Sequence, residues 1–253
     1  MSGHSKWASI KHKKGILDAQ RGKIFSKLIR EITVAARTGG GNIENNARLR
    51  MVLENAKSEN MPADNIKRAI QRGTGELPGM IVEEVTYEGY GPGGIAVLVE
   101  AMTDNKNRTI SEIRKIFSRS GGNLGETGCV SWMFDKKGCI SIDKNEIGED
   151  ELLEMITDAG AEDFKLEGDI YEVITQPQDI EEVKNALLKN NVKLKFSEIS
   201  MVPKNYIKVD PNVARGVLKL IETLEDHDDV QKVHSNFDIP DEIMQELQKE
   251  IKE

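Results

Sequence analysis

The sequence predicts an α+β protein of three domains, an N-terminal helical bundle followed by two α/β domains. Apolar residues recur at helical spacing up to about residue 78, and after it they alternate as in short strands. Residues 131–203 give the succession β-α-β-β-α-β, which is the ferredoxin-like order. Two strands and a helix precede this unit, and a helix and a strand follow it. We therefore predict that the ferredoxin-like domain is inserted into a discontinuous middle domain.

Three helices are predicted in the N-terminal part of the chain. Over residues 23–37 a helical wheel separates an apolar face from a cationic stripe on the opposite side. The glycines of "TGGGN" end this helix. A second helix is predicted within "NNARLRMVLENAKSENM" and a third within "MPADNIKRAIQRG", where Pro62 suits the first turn and Gly73 the end.

Strands and helices are predicted to alternate in the rest of the chain. "IVEEVTYEGYGPGGIAVLVEAM" predicts two strands joined by a turn, and "DNKNRTISEIRKIFSRSGG" predicts a helix with Asp104 as its N-cap. The ferredoxin-like strands are predicted in "VSWMF" with "CISID", then in "FKLEG", "YEVIT" and "KLKFSEIS". Its helices are predicted over residues 149–159 and 179–190. "DPNVARGVLKLIETLEDHDDVQKVHSNF" adds the last helix and strand.

The predicted domain boundaries follow from these elements. The basic arm and helical bundle occupy residues 1–78, and the middle domain occupies 79–130 together with 204–240. The ferredoxin-like domain occupies 131–203, and an acidic tail occupies 241–253.

Charge is distributed unevenly along the chain. The whole chain is acidic, with 35 Lys+Arg against 43 Asp+Glu. Residues 1–78, however, hold fifteen Lys/Arg and seven Asp/Glu, a net charge of +8, so the remainder carries −16. This asymmetry predicts a polyanionic partner for the basic part. The acidic part would be repelled by the same partner, and it suits a contact with another protein.

Composition argues against a membrane or secreted protein. No window approaches the roughly 18 apolar residues of a membrane-spanning helix, and the start lacks the apolar core of a secretory signal. The basic start is similar to a transit peptide, but Lys rather than Arg dominates it and it runs directly into a helix. Cys129 and Cys139 are predicted to be reduced thiols of a cytoplasmic protein.

Catalytic, cofactor and metal motifs are not convincing. "GYGPGG" has the spacing of a dinucleotide loop, but a strand follows it, so a hairpin connection is predicted. "EDHDD" (225–229) offers carboxylates to a divalent cation, but a solvated helix end is the simpler interpretation. We therefore expect no cofactor, no metal and no enzymatic activity. The alternative from a different functional class is an enzyme whose active site lies in a cleft between the domains.

The candidate site is the basic N-terminus. Lys and Arg neutralise phosphates and release condensed counterions, which gives affinity without reading bases. These cations occur on an arm and then on one stripe of the first helix, while a solvated charged face is the plain alternative. The predicted nucleic-acid-binding residues are Lys6, Lys11, His12, Lys13, Lys14, Arg21, Lys23, Lys27, Arg30, Arg68 and Arg72.

Several stretches of the chain closely resemble the YebC/PmpR family of bacterial proteins. They are "GHSKWASIKHKKGILDAQRGKIFSKLIREI", "NMPADNIKRAIQRGTGE", "YEGYGPGGIAVLVE", "TDNKNRT" and "SGGNLGETGCVSWMF". The resemblance implies three domains around a cleft and a DNA-binding regulator of transcription. The related mitochondrial translational activator of cytochrome c oxidase implies the alternative, a translation factor that binds ribosomal RNA. The residues leave this choice open, because the same Lys and Arg side chains contact the phosphates of either nucleic acid.

Overall fold

The structure is a computed structural model that describes residues 18–79 and 81–239. This part of the chain contains seven α-helices and ten strands, which confirms the predicted α+β class. Its buried apolar residues form three large clusters, one in each of the three units described below, and a smaller fourth one. Within the described ranges, no helix combines the length and the hydropathy needed to cross a membrane. The domain boundaries given above stay predictions.

The helical unit lies at the N-terminus. It consists of α1 (Asp18–Gly39), α2 (Ala47–Ser58) and α3 (Ala63–Thr74). The apolar face predicted for the first helix is buried here, with Leu28 and Ile32 packed against Leu49 and Leu53 of α2. Asn46 caps α2 by accepting a hydrogen bond from the backbone N–H of Leu49.

Gly73 does not end α3, contrary to the prediction. The helix continues to Thr74, and Gly75, with φ of +83°, is the left-handed cap. Gly73 is buried against α1, where an added Cβ would lie 2.4 Å from the carbonyl oxygen of Thr33 and 2.7 Å from the Cβ of Ala36. The absence of a side chain is therefore what lets the two helices approach each other.

The central unit is a sheet covered by two helices. Its strands are β1 (Glu83–Tyr90), β2 (Ala96–Thr103), β3 (Asn123–Leu124) and β9 (Val230–Ser235), in the order β3-β1-β2-β9, and its helices are α4 (Lys106–Arg119) and α7 (Pro211–Glu225). Strands β1 and β2 are antiparallel, so "GYGPGG" is a hairpin connection as predicted. The N-cap of α4 is Asn105, which accepts the backbone N–H of Arg108, and not Asp104. A parallel pair formed by β8 (Ile207–Lys208) and β10 (Phe237–Asp238) lies beside this core.

The βαββαβ unit has the ferredoxin-like topology. It consists of β4 (Phe134–Asp143), α5 (Glu149–Asp158), β5 (Asp163–Glu167), β6 (Ile170–Thr175), α6 (Ile180–Lys189) and β7 (Leu194–Pro203). The strand order is β5-β6-β4-β7, and every neighbouring pair is antiparallel. This is the split βαβ pattern that the element order predicts.

The expected strand "VSWMF" is instead a turn that leads into β4. Residues Ser131–Met133 form a 3₁₀-helix. The buried carboxylate of Glu88, on β1, accepts three backbone N–H groups of this connection at 2.8 Å; the donors are Gly128, Val130 and Ser131. Burial alone would raise the pKa of the Glu88 carboxyl, but these hydrogen bonds hold that pKa below its ordinary value. The ionised carboxylate thus bends the chain where the strand was expected.

We predict that Gly73→Ala destabilises the protein by about 1–3 kcal/mol, because the new methyl group overlaps the backbone of α1. The matched control is Gly22→Ala on α1, where an added Cβ meets nothing within 4 Å. That variant should gain up to about 1 kcal/mol from helix propensity. Urea denaturation followed by circular dichroism measures both, and equal midpoints for the two variants would contradict the packing role of Gly73.

Candidate nucleic-acid interface

Five of the eleven predicted binding residues fall on parts of the chain whose side chains the structure describes. Lys23, Lys27 and Arg30 lie on α1, and Arg68 and Arg72 lie on α3. The other predicted residues lie outside the described residues, or in the case of Arg21 have a side chain that is not described: Lys6, Lys11, His12, Lys13, Lys14 and Arg21.

The cationic stripe of α1 was expected to point to solvent. It contacts the central unit instead. The Nζ atom of Lys27 donates to the carbonyl oxygen of Glu225 at 2.7 Å, and that of Lys23 donates to the carbonyl oxygen of Asp226 at 3.2 Å. These carbonyls end α7 and have no partner within that helix. Cations are also favoured at the negative end of a helix. The stripe therefore caps α7.

Asp229 joins the helical unit to the central unit. Its carboxylate is almost completely buried, with the residue 2% exposed. One oxygen, Oδ1, lies 3.0 Å from a guanidinium nitrogen of Arg30 on α1. The other, Oδ2, accepts from Arg108 and from the hydroxyl of Thr109, both at 2.7 Å, and from Thr103 at 3.2 Å. The "EDHDD" segment is thus not simply a solvated helix end.

The donors around Asp229 keep its carboxylate ionised. Burial would raise the pKa of this carboxyl, but the hydrogen bonds from Arg108 and Thr109 and the charge of Arg30 outweigh it. The pKa of Asp229 is therefore below its ordinary value.

One group of side chains in this region resembles a metal-ligand set. Glu112, His227 and Asp229 bring ligand atoms within 4.8 Å of one another. However, His227 is 2.8 Å from Glu112, and both oxygens of Asp229 already accept other donors. The donor set is satisfied by the protein's own side chains, so it supports no metal site.

A second polar cluster lies where the three units meet. Lys232 of β9 is 2.6 Å from Glu198 of β7, and Glu100 of β2 and Glu31 of α1 are close enough to interact with it. Burial raises the pKa of Glu31 above its ordinary value despite the attraction of Lys232. The ammonium group of Lys232 pairs with Glu198 and attracts the charges of Glu100 and Glu31, and it thereby links the three units.

The cations of helix α3, unlike those of α1 described above, do not join one unit to another. Lys67, Arg68 and Arg72 are exposed, and none of them forms an ion pair with another described residue. Their helix buries Ala69 and Gly73 on the opposite side. The three cations of α3 therefore form a surface that is open to an external anion.

Sequence reasoning missed a further group of cations on the central unit. Helix α4 carries five Lys/Arg in fourteen residues, although it lies in the acidic part of the chain. A cleft of about 910 Å³ opens between α1 and the layer formed by α4 and α7. Lys115 and Arg119 of α4 and Lys219 of α7 line it. The density of cations in α4 was the available signal, and the net charge of the surrounding segment concealed it.

Comparison with known proteins places these features in a family. A profile described as "TACO1/YebC protein N-terminal domain" matches residues 5–76, and one described as "TACO1/YebC second and third domain" matches residues 82–237. A "Probable transcriptional regulatory protein" of Syntrophus aciditrophicus is 59% identical over 98% of this chain and 99% of its own. One of Natranaerobius thermophilus with the same name is 57% identical over 97% and 99%. The crystal structure of a conserved hypothetical protein from Aquifex aeolicus matches with a TM-score of 0.85 and 51% identity, covering 94% of this chain and 99% of that one.

We predict that Asp229→Asn lowers the free energy of unfolding by about 3 kcal/mol, since Arg30 and Arg108 lose a buried partner. Asp104→Asn is the control, because Asp104 pairs with the same Arg108 at a more exposed position, where the loss should stay below about 1 kcal/mol.

The effect of Asp229→Asn should also depend on pH. Because the folded pKa of Asp229 is lowered, its contribution is complete above the unfolded pKa of about 4 and is lost as the pH falls further. Wild type and variant should therefore differ at neutral pH and converge in acid. Denaturation curves across this pH range measure the difference, and a difference that grows in acid would contradict the role of the carboxylate.

Proposed function

We propose that this chain, which belongs to the TACO1/YebC family, is a DNA-binding regulator of gene expression that acts without catalysing a reaction. The relatives named above carry the name "Probable transcriptional regulatory protein". The charge of the chain supports a role on a polyanion, because residues 1–78 carry +8 in a protein whose net charge is −8.

The observation that carries the proposal is the unpaired cationic surface of α3. Lys67, Arg68 and Arg72 are exposed on a helix whose other side is packed, and they have no ion partner among the described residues. In contrast, Lys27 of α1 is bonded to the last residue of α7, and Arg30 is bonded to Asp228 and Asp229 in the segment that follows. We therefore assign phosphate contacts to α3 and to the preceding arm, with Lys6, Lys11, His12, Lys13 and Lys14, while the α1 cations hold the units together.

The charge on the rest of the chain determines which side of the protein faces DNA. The −16 carried beyond residue 78 would repel DNA, so the helical unit is the side that faces it. The acidic surface that remains is the proposed contact for a protein partner. A reducing compartment such as the cytoplasm fits the two free cysteines. Burial raises the pKa of the Cys139 thiol to about 12, which makes this thiol unreactive.

We predict that Arg68→Glu with Arg72→Glu weakens binding to a labelled duplex DNA of mixed sequence. Each lost phosphate contact should also reduce the slope of log K against log[salt] by about 1. The matched control is Lys189→Glu with Lys208→Glu, two exposed cations of the other units whose reversal changes the net charge equally. Fluorescence anisotropy over a salt series measures both pairs. If both pairs of substitutions weaken DNA binding equally, the effect is explained by net charge, and α3 is not part of the binding surface.

The arm is tested separately by Lys11→Glu with Lys13→Glu. If the arm contacts phosphates, this pair should also weaken binding and flatten its salt dependence. Affinity unchanged by both the arm pair and the α3 pair would overturn the proposed surface.

Crosslinking in cells identifies the nucleic acid. Ultraviolet irradiation followed by sequencing of the attached nucleic acid should recover DNA, enriched at promoters. Recovery of ribosomal RNA in its place would move the site of action to the ribosome, where the same cations contact rRNA phosphates.

A further inference from the structure

We infer that the cleft between α1 and the α4/α7 layer is a second phosphate-binding surface, which contacts the same nucleic acid as the helical unit. This inference rests on the proposed function and extends it to the central unit, which lies in the acidic part of the chain. It assigns binding residues to helices on which the sequence analysis placed none: Lys115, Arg119 and Lys219.

The chemistry of the cleft fits a polyanion better than a small apolar ligand. Ligand pockets are lined mainly by apolar side chains. Here Ile116 is the apolar aliphatic side chain among the lining residues, and most of the others carry charge. Six are Lys or Arg and four are Asp or Glu, which gives the cleft a formal charge of +2.

Two of the four acidic side chains in the cleft, Asp226 and Asp229, already pair with cations. Asp226 is 3.7 Å from Lys23, and Asp229 holds Arg30 and Arg108. Glu112 is hydrogen-bonded to His227. The carboxylate of Asp228 has no ion partner among the described residues, although its carbonyl oxygen accepts from Arg30.

The cations on the central wall, in contrast, are not compensated. Lys115, Arg119 and Lys219 are exposed and form no ion pair within the described part of the chain. They lie on the outer side of helices whose inner sides are packed: Ile113 and Phe117 of α4 and Leu220 of α7 are completely buried. These cations contribute little to the stability of the core. Because they line the same cleft, they favour the binding of an external anion there.

One wall of the cleft belongs to the helical unit. Lys23 of α1 lines it together with the three central cations, and its side chain is 46% exposed. Helix α1 begins at Asp18, five residues earlier, which is about 8 Å along the helix axis. A phosphate backbone bound by the central wall therefore lies close to the start of α1, which the predicted arm precedes in the sequence.

The test is a triple neutralisation, Lys115→Gln, Arg119→Gln and Lys219→Gln. Its matched control is Arg114→Gln, Lys189→Gln and Lys208→Gln, which removes three exposed cations outside the cleft lining and changes the net charge equally. Anisotropy with the labelled duplex should show weaker binding for the cleft variant. The magnitude of its salt slope should fall by roughly 2 to 3, whereas the control should keep the wild-type slope.

A gain-of-affinity variant guards against a folding artefact. Asp228→Asn removes the uncompensated carboxylate and leaves the carbonyl group that accepts from Arg30. It should bind the duplex more tightly than wild type by a few-fold, which a misfolded protein would not do.

The outcomes separate this inference from the proposed function. If the arm and α3 variants lose affinity while the cleft variant behaves like its control, the cleft inference fails and the proposed function stands. If wild-type protein binds neither duplex DNA nor single-stranded RNA, the proposed function fails and the cleft inference fails with it. If only the cleft variant loses affinity and Asp228→Asn binds more tightly, the cleft is supported as a binding surface and α3 is not part of that surface.

Discussion

Asp229 provides the contact on which the arrangement of the helical and central units depends. A carboxylate buried this deeply is costly unless donors surround it, and here the donors come from both units. Arg30 reaches it from α1, while Arg108 and two threonine hydroxyls reach it from the central unit. Arg30 supplies the donor for the other carboxylate oxygen, so this contact favours the position of α1 in which Arg30 meets Asp229. That position also places the α1 stripe over the carbonyl end of α7 and leaves the cleft beside it.

The cations of the protein therefore have two different tasks. Lys23, Lys27 and Arg30 of α1 are close to backbone carbonyls or to Asp229, and they hold the units in place. Those of α3, together with Lys115, Arg119 and Lys219 of the central unit, are exposed and without ion partners among the described residues. The same residue types and the same helical spacing occur in both groups. What distinguishes them is whether an acceptor from another unit lies within reach.

Local patterns predicted the elements well, and they failed where a distant group intervened. The periodicity of apolar residues located the helices and the strands, and the order of elements predicted the ferredoxin-like topology. Gly73 was misread because a glycine near a helix end usually caps it, whereas here it permits contact with Thr33. The segment "VSWMF" was misread because the carboxylate of Glu88, more than forty positions earlier, captures its backbone N–H groups. Both of these failures involve a residue far away in the sequence, whereas the N-cap of α4 was misplaced by a single position.

The sequence by itself determined the α+β class, the amphipathic helices, the concentration of positive charge before residue 78 and the family resemblance. These properties depend on spacing within about 20 residues or on composition, so they can be read without coordinates. The tertiary structure alone decided which cations are available. Arg30 and Asp229 are 199 positions apart, and no local pattern relates them. Folding brings them together because burying the α1 and α7 surfaces requires every buried charge to find a partner, and the exposed cations are those that remain.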